Sequence, residues 1–255
     1  MIRNNALIAA ASLLLCAPFA IGQAPGGGRA PQTAKAAARN DLTGYWVAYV
    51  TEDWRFRMIT PPKGDYSGVP LNAEGRKAAA VWDPATDEKG GDACRYYGAP
   101  AIMRIPGRIH ITWQDDNTLK VETDAGMQTR LFNFSSKQAA QGPPGWQGRS
   151  IAQWEKPESM GRVGFETPPQ GGGLKVVTTN LQAGYLRRNG VPYSENAVLT
   201  EYFDVGTLTG VGTVLVVTSI LDDPKYLTQL FQINTHFKKE ADGSKWDPMP
   251  CSANW

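Results

Sequence analysis

Three stretches near the C-terminus decide the fold: Ala197-Val198-Leu199-Thr200-Glu201-Tyr202-Phe203-Asp204, Thr213-Val214-Leu215-Val216-Val217-Thr218-Ser219-Ile220-Leu221 and Leu230-Phe231-Gln232-Ile233-Asn234-Thr235-His236-Phe237-Lys238-Lys239. Each is dense in β-branched and aromatic residues. Two of them alternate apolar and polar side chains with a period of two, the signature of strands with one buried face. Upstream, Arg108–Trp113, Thr118–Thr123, Met127–Phe134, Arg149–Glu155 and Leu174–Leu181 read the same way, separated by Asp, Asn, Gly and Pro turns. Tyr45–Thr51, Trp54–Thr60 and Ile102–Ile105 also read as strands. The clearest helix runs from Asn72 to Trp82, with Asn72 as its cap and Asp83-Pro84 as its stop. The segment 85–99 reads as a long loop. The expectation is an all-β, mostly antiparallel fold: a single barrel or strongly curved sandwich of about ten strands with one short helix near residues 72–82. Closure into a barrel removes exposed sheet edges.

The N-terminus reads differently. Arg3 precedes an apolar run from Ala6 to Ala20, and Ala20-Ile21-Gly22 supplies the small residues of a signal-peptidase site. Residues 1–22 are therefore expected to be a cleaved signal, giving an exported protein, periplasmic or secreted, with no stable membrane anchor. Leu15 before Cys16 argues against lipid modification of that cysteine. Residues 23–40, rich in Gly, Pro and Ala, read as a disordered linker, leaving 41–255 as the barrel-like domain.

Composition narrows the function classes. The chain has 255 residues with 26 Lys and Arg against 24 Asp and Glu, so it lacks the basic footprint of a nucleic-acid binder. After the signal, Cys94 and Cys251 remain, and in an oxidising compartment they most simply form a disulfide; two buried free thiols are the alternative. No phosphate-binding loop, dinucleotide fingerprint, Cys-x-x-Cys pair or nucleophile elbow is present. With two histidines in all, His110 and His236, a His-rich metal centre is excluded. No cofactor is expected.

The remaining signal is ionisable residues on strands. Arg130 shares a strand face with Phe132 and Phe134, and Glu201 with Leu199 and Phe203. Turned into a barrel lumen, Glu201 would act as a desolvated general base and Arg130 would hold a substrate anion or keep Glu201 ionised. His110, His236, Tyr193 and Glu195 are the further acid–base candidates, the last two at the rim after the Asn189-Gly190 turn. A buried structural ion pair is the bland reading of Arg130 and Glu201. Ser194 and Glu195, in turn, have a bland reading as groups that satisfy the backbone at a strand start. Eight tryptophans make an aromatic-lined site for a flat ligand a natural expectation, with Trp113, Trp154, Phe132 and Phe203 as ligand-binding candidates.

Two resemblances add to this. Asp41-Leu42-Thr43-Gly44-Tyr45-Trp46 resembles the opening strand of lipocalin-like (calycin) barrels. Several segments are similar to a group of uncharacterised secreted bacterial β-rich proteins: Pro70–Gly75, the Cys94 loop, Ile105–Arg108, Thr123–Gly126, Trp146–Ser150, Tyr193–Glu195 and Asp223–Tyr226. The resemblance implies export, a β-rich domain and a late cysteine, and no particular chemistry. The expectation is a cofactor-free acid–base enzyme, a lyase, isomerase or hydrolase, acting on a small hydrophobic or aromatic molecule. The alternative is a lipocalin-like binding or carrier protein for such a ligand.

Overall fold

Along β10 (Val198–Leu208) Leu199, Glu201 and Phe203 are buried while the residues between them reach solvent, and the same alternation holds where β11 (Gly212–Asp222) and β12 (Phe231–Lys239) face the core. Successive side chains of a strand point to opposite faces, so a sheet with this pattern must wrap around the buried face. It closes completely. In the computed structural model, which describes residues 32–135, 142–155 and 173–253, the other strands are β1 (Gly44–Ala48), β2 (Arg108–Asp115), β3 (Thr118–Thr123), β4 (Ala125–Gly126), β5 (Thr129–Asn133), β6 (Arg149–Trp154), β7 (Leu174–Thr179), β8 (Gly184–Tyr185), β9 (Pro192–Tyr193) and β13 (Met249–Pro250). Nine of them form a closed barrel in the order β1-β12-β11-β10-β7-β6-β5-β3-β2.

A ring of nine strands cannot be antiparallel throughout, because direction must alternate an even number of times around it. The parallel contact falls between β5 and β6, where Phe132 lies opposite Ser150 and Asn133 opposite Ile151. A parallel neighbour needs a long return connection, and the chain between Asn133 and Arg149 supplies the length. The seam is short. By contrast β10 and β11 pair from Val198↔Asp222 to Leu208↔Gly212.

The barrel is filled by its own side chains. Trp46, Ile109, Ile111, Leu119, Val121, Phe132, Leu174, Val176, Phe203, Leu215, Val217 and Phe237 form one continuous core. One end is covered by a cap with a second core, in which Val69, Leu71, Leu186, Val191 and Tyr193 pack on the strand ends Leu199, Leu221 and Phe231. The cap contains α1 (Trp54–Met58), α2 (Ala73–Ala80), α3 (Pro84–Gly90), a 3-10 turn (Ala93–Tyr97) and α4 (Ala99–Ile102). The β8–β9 hairpin joins them, folded through Asn189-Gly190. Gly190 has φ +80°, and a Cβ there would collide with the Trp82 side chain, so this turn needs glycine twice over.

Several expectations about the cap are corrected. Trp54–Thr60 is not a strand: it contains the short helix α1, and its burial is inverted. Arg57 is the buried residue, while Trp54 and Met58 are exposed. Arg57 turns inward because Glu52 and the Arg104 carbonyl receive its guanidinium. Ile102–Ile105 is not a strand either. Pro100 sits in the first turn of α4, where proline's missing N–H is no loss, and Ala101, Ile102 and Met103 plug the barrel end. Residues 85–99 are largely helical. Asp83-Pro84 stops one helix but also starts the next, since Asp83 Oδ1 accepts from Ala85 N at 3.1 Å. The helix expected at Asn72–Trp82 is α2, with Asn72 Oδ1 accepting from Gly75 N at 2.9 Å.

The expected signal and half of the linker, residues 1–31, lie outside the described residues, as do 156–172. The barrel, its cap and its C-terminal strap belong to the unit Thr33–Trp255. Within the stretch read as linker, Ala34 is buried: its N–H donates to Asn117 Oδ1 and its carbonyl accepts from Trp154 Nε1 at 2.8 Å. The chain is thus laid on the barrel end from Ala34 onward, earlier than composition suggests, because one exposed backbone turn satisfies the indole and the Asn117 amide. At the other terminus β13 pairs in parallel with β4. The next residue, Cys251, forms a disulfide with Cys94 of the 3-10 turn, 157 positions upstream. Closing a loop of this length stabilises by roughly 4–5 kcal/mol in the chain-entropy picture. No described helix is long and apolar enough to cross a membrane.

Candidate functional site

Arg130 and Glu201 meet inside the barrel as the strand faces require. Arg130 Nη1 donates to Glu201 Oε1 at 3.0 Å and Nη2 to Oε2 at 2.5 Å, a bidentate pair. Nη2 also reaches Thr178 Oγ1, which bonds Ser150 Oγ at 2.8 Å, and the guanidinium lies 4.9 Å from the Phe132 ring centre. Both side chains are 0 % exposed. In the described structure neither side chain is open to solvent, and Thr178 and Phe132 pack directly on the guanidinium. The pair is a structural tie by its geometry. It links β5 to β10 across the lumen and spans the short parallel seam through Thr178 and Ser150.

The two histidines face outward. His110 stacks on Tyr45, centroids 4.0 Å apart, with Trp246 edge-on and Glu122 at 3.4 Å. His236 Nδ1 is 2.7 Å from Glu52 Oε2 and 2.8 Å from Thr51 Oγ1. Tyr193 and Glu195 are separated by burial. Tyr193 is fully buried with its hydroxyl unpartnered, and burial pushes its phenol well above the usual tyrosine range. Glu195 is exposed and paired with Lys225 at 2.9 Å. Between them Ser194 is held at both N–H and Oγ by Asp223, each at 2.7 Å, which anchors the entry into β10. The six acid–base candidates are therefore not assembled into one site.

The aromatic candidates divide in two. Phe132 and Phe203 meet at 5.3 Å in the lumen and are core. Trp113 and Trp154 flank Phe134 at 5.7 and 5.5 Å, forming a stack at the barrel end against which Ala34 lies.

A ligand-sized space occurs elsewhere, in the cap. A cleft of about 270 Å³ opens between the end of α2, the start of α3 and the β8–β9 hairpin. Trp82, Tyr185 and Tyr226 face it, with Val81 and Pro192, and the buried Tyr193 lies behind this wall. This is close to the lower end of the range for small-molecule sites, roughly 300–1,000 Å³. Its polar edge is a small network: Arg95 Nη1 donates to the buried carboxylate of Asp87 at 2.8 Å and contacts Tyr185 Oη at 3.2 Å. Burial, and then the adjacent Asp87, push the Tyr185 phenol up to about 12, so it remains a neutral hydrogen-bonding group. Burial by itself lowers the Arg95 pKa, but Tyr185, Asp87 and Asp92 together outweigh it and raise the value.

The sequence reading missed this cleft because one of its walls, with Thr86, Asp87 and Arg95, lies in the segment 85–99 taken for loop. One clue was legible. Asp83-Pro84 is a cap and a first-turn proline as well as a stop, and a helix there sets Trp82 at a corner against Gly190. No family model, curated protein or solved structure matches this chain.

Proposed function

We propose that this is an exported binding protein that holds a small flat aromatic molecule in the cap cleft and needs no cofactor. The carrying observation is the lining: one tryptophan and two tyrosines, Trp82, Tyr185 and Tyr226, around about 270 Å³, with Asp83, Thr86, Asp87 and Arg95 as its polar part. Aromatic faces favour a flat ring by offset or edge-on contact. Arg95 and Tyr185 can orient one polar substituent. A disulfide agrees with an oxidising compartment, and the Arg3, Ala6–Ala20 and Ala20-Ile21-Gly22 pattern supports export.

A second reading has one support of its own. The Asp87–Arg95–Tyr185 network sets ionisable groups at a ligand-sized cleft, which suits a proton-transfer enzyme, a lyase or isomerase, with Tyr185 as donor. Isothermal titration with 1-naphthol tests the binding reading. The wild type should bind, and Trp82→Ala should weaken binding by about tenfold or more. Equal affinity in Trp82→Ala and Tyr226→Ala removes the cleft as the site. For any compound found to turn over, Tyr185→Phe decides between the readings: loss of turnover with affinity kept favours the enzyme.

A further inference from the structure

Three arginines of the cap, Arg57, Arg104 and Arg187, are each at most 2 % exposed. Arg57 donates through Nε to the Arg104 carbonyl at 2.9 Å and through Nη1 to Glu52. Arg104 donates through Nη2 to Asp53. Arg187 donates to the Ser67 carbonyl at 2.6 Å and lies 3.8 Å from the centre of the Phe56 ring. Arg57 thus meets the Arg104 backbone, and Arg187 stacks on Phe56, the neighbour of Arg57 in α1. Desolvation pulls Arg187 down to about 10, and the nearby Arg104 charge adds to this; the same two causes lower Arg57. Arg57 Nη2, Arg104 Nη1 and Arg187 Nε have no hydrogen-bond partner among the described residues. Glu52 and Asp53 are the carboxylates bonded to this cluster; Asp65 also acts on Arg187 but is itself bonded to exposed Arg55 at 2.7 Å, so four arginines stand against three acids.

Asp53 is the unusual member. It occupies the N-cap of α1, where an aspartate ordinarily accepts from the helix N–H groups. Its side chain makes no such bond, and its backbone is left-handed, φ 51° and ψ 26°. A non-glycine residue in that region carries strain that its surroundings must sustain. The carboxylate is turned to Arg104 instead, and it is 28 % exposed where Arg104 is 2 % exposed. It is the solvent-side cover of the arginine cluster. A carboxylate offers two oxygens. A tetrahedral oxyanion offers more, of a size near the four side-chain atoms of an aspartate, and guanidinium forks suit it.

We propose that Arg57, Arg104 and Arg187 form a binding site for a tetrahedral oxyanion, phosphate or a phosphate monoester, occupied in this structure by the Asp53 carboxylate as a tethered stand-in. Asp53→Gly empties the site and suits the left-handed backbone. Calorimetry with inorganic phosphate and with methyl phosphate, in low-chloride buffer, tests it. The folded variant should bind at least one probe with a Kd below about 1 mM, at least about tenfold tighter than the wild type, and Arg187→Met in the same chain should weaken binding by about tenfold or more. Tighter binding of methyl phosphate assigns the site to an ester, and tighter binding of inorganic phosphate to the free anion. Absence of saturable heat with both probes up to about 10 mM overturns the proposal. Should Asp53→Gly fail to fold, Asp53→Asn removes the charge and still tolerates the backbone; binding no tighter than wild type then overturns it.

Discussion

This fold buries arginine in two places and treats it in opposite ways. In the lumen, Arg130 meets one carboxylate in a two-pronged pair, backed by Thr178 and Ser150, and the charges cancel. In the cap, Arg57 is bonded to Glu52, Arg104 to Asp53 and Arg187 to the neutral Ser67 carbonyl, and three of their N–H groups find no partner among the described residues. Both sets of arginines are shielded from water, so exposure does not tell them apart. Charge balance and backbone strain do. A balanced buried pair holds strands together, whereas an unbalanced set covered by a strained acid is poised to accept a different partner.

The largest expected effect tests the lumen side. Glu201→Gln leaves Arg130 as an uncompensated buried charge, and urea unfolding should show a loss of about 3–5 kcal/mol. Adding Arg130→Met should recover much of that loss, since a buried ion pair is replaced by hydrocarbon at little net change. A small loss in Glu201→Gln would break the comparison. The cap side should respond less. Arg187→Met removes a hydrogen bond and also a like charge beside Arg104, so the net loss should be about 1 kcal/mol or less. A loss equal to that of Glu201→Gln would mean the cap is as tightly balanced as the lumen. The smallest effect is the reference for both. Glu195→Gln breaks an exposed pair with Lys225, and the urea midpoint should not move measurably.

How much of this was legible depends on which force shaped each segment. The barrel strands were readable because one face is buried along their length, so period-two alternation is written into β10 and β12. That same alternation located Arg130 and Glu201 on the inward face. It could not say whether a hollow lay beside them, because packing depends on the volumes of all neighbours together. The cap resisted reading for another reason. Its helices are short, from four to eight residues, and α4 is buried on every side, so neither propensity nor period dominates. Trp54–Met58 misled because tertiary contacts drew Arg57 inward and left Trp54 and Met58 outside. Cys94 and Cys251 were simpler, since setting Cys16 aside with the expected signal leaves two cysteines, for which a disulfide is the plainest arrangement.

The ring of strands is completed by pairing the first with the last: Trp46 against Lys239, Ala48 against Phe237. Until Phe231–Lys239 has been made and delivered, the sheet is an open ribbon with β1 and β11 as bare, sticky margins. The strap that follows, ending in Cys251, can lock only after that. A chain emerging slowly from a ribosome or a membrane pore therefore has no smaller stopping point at which the barrel is whole, and losing its tail forfeits ring closure together with the disulfide.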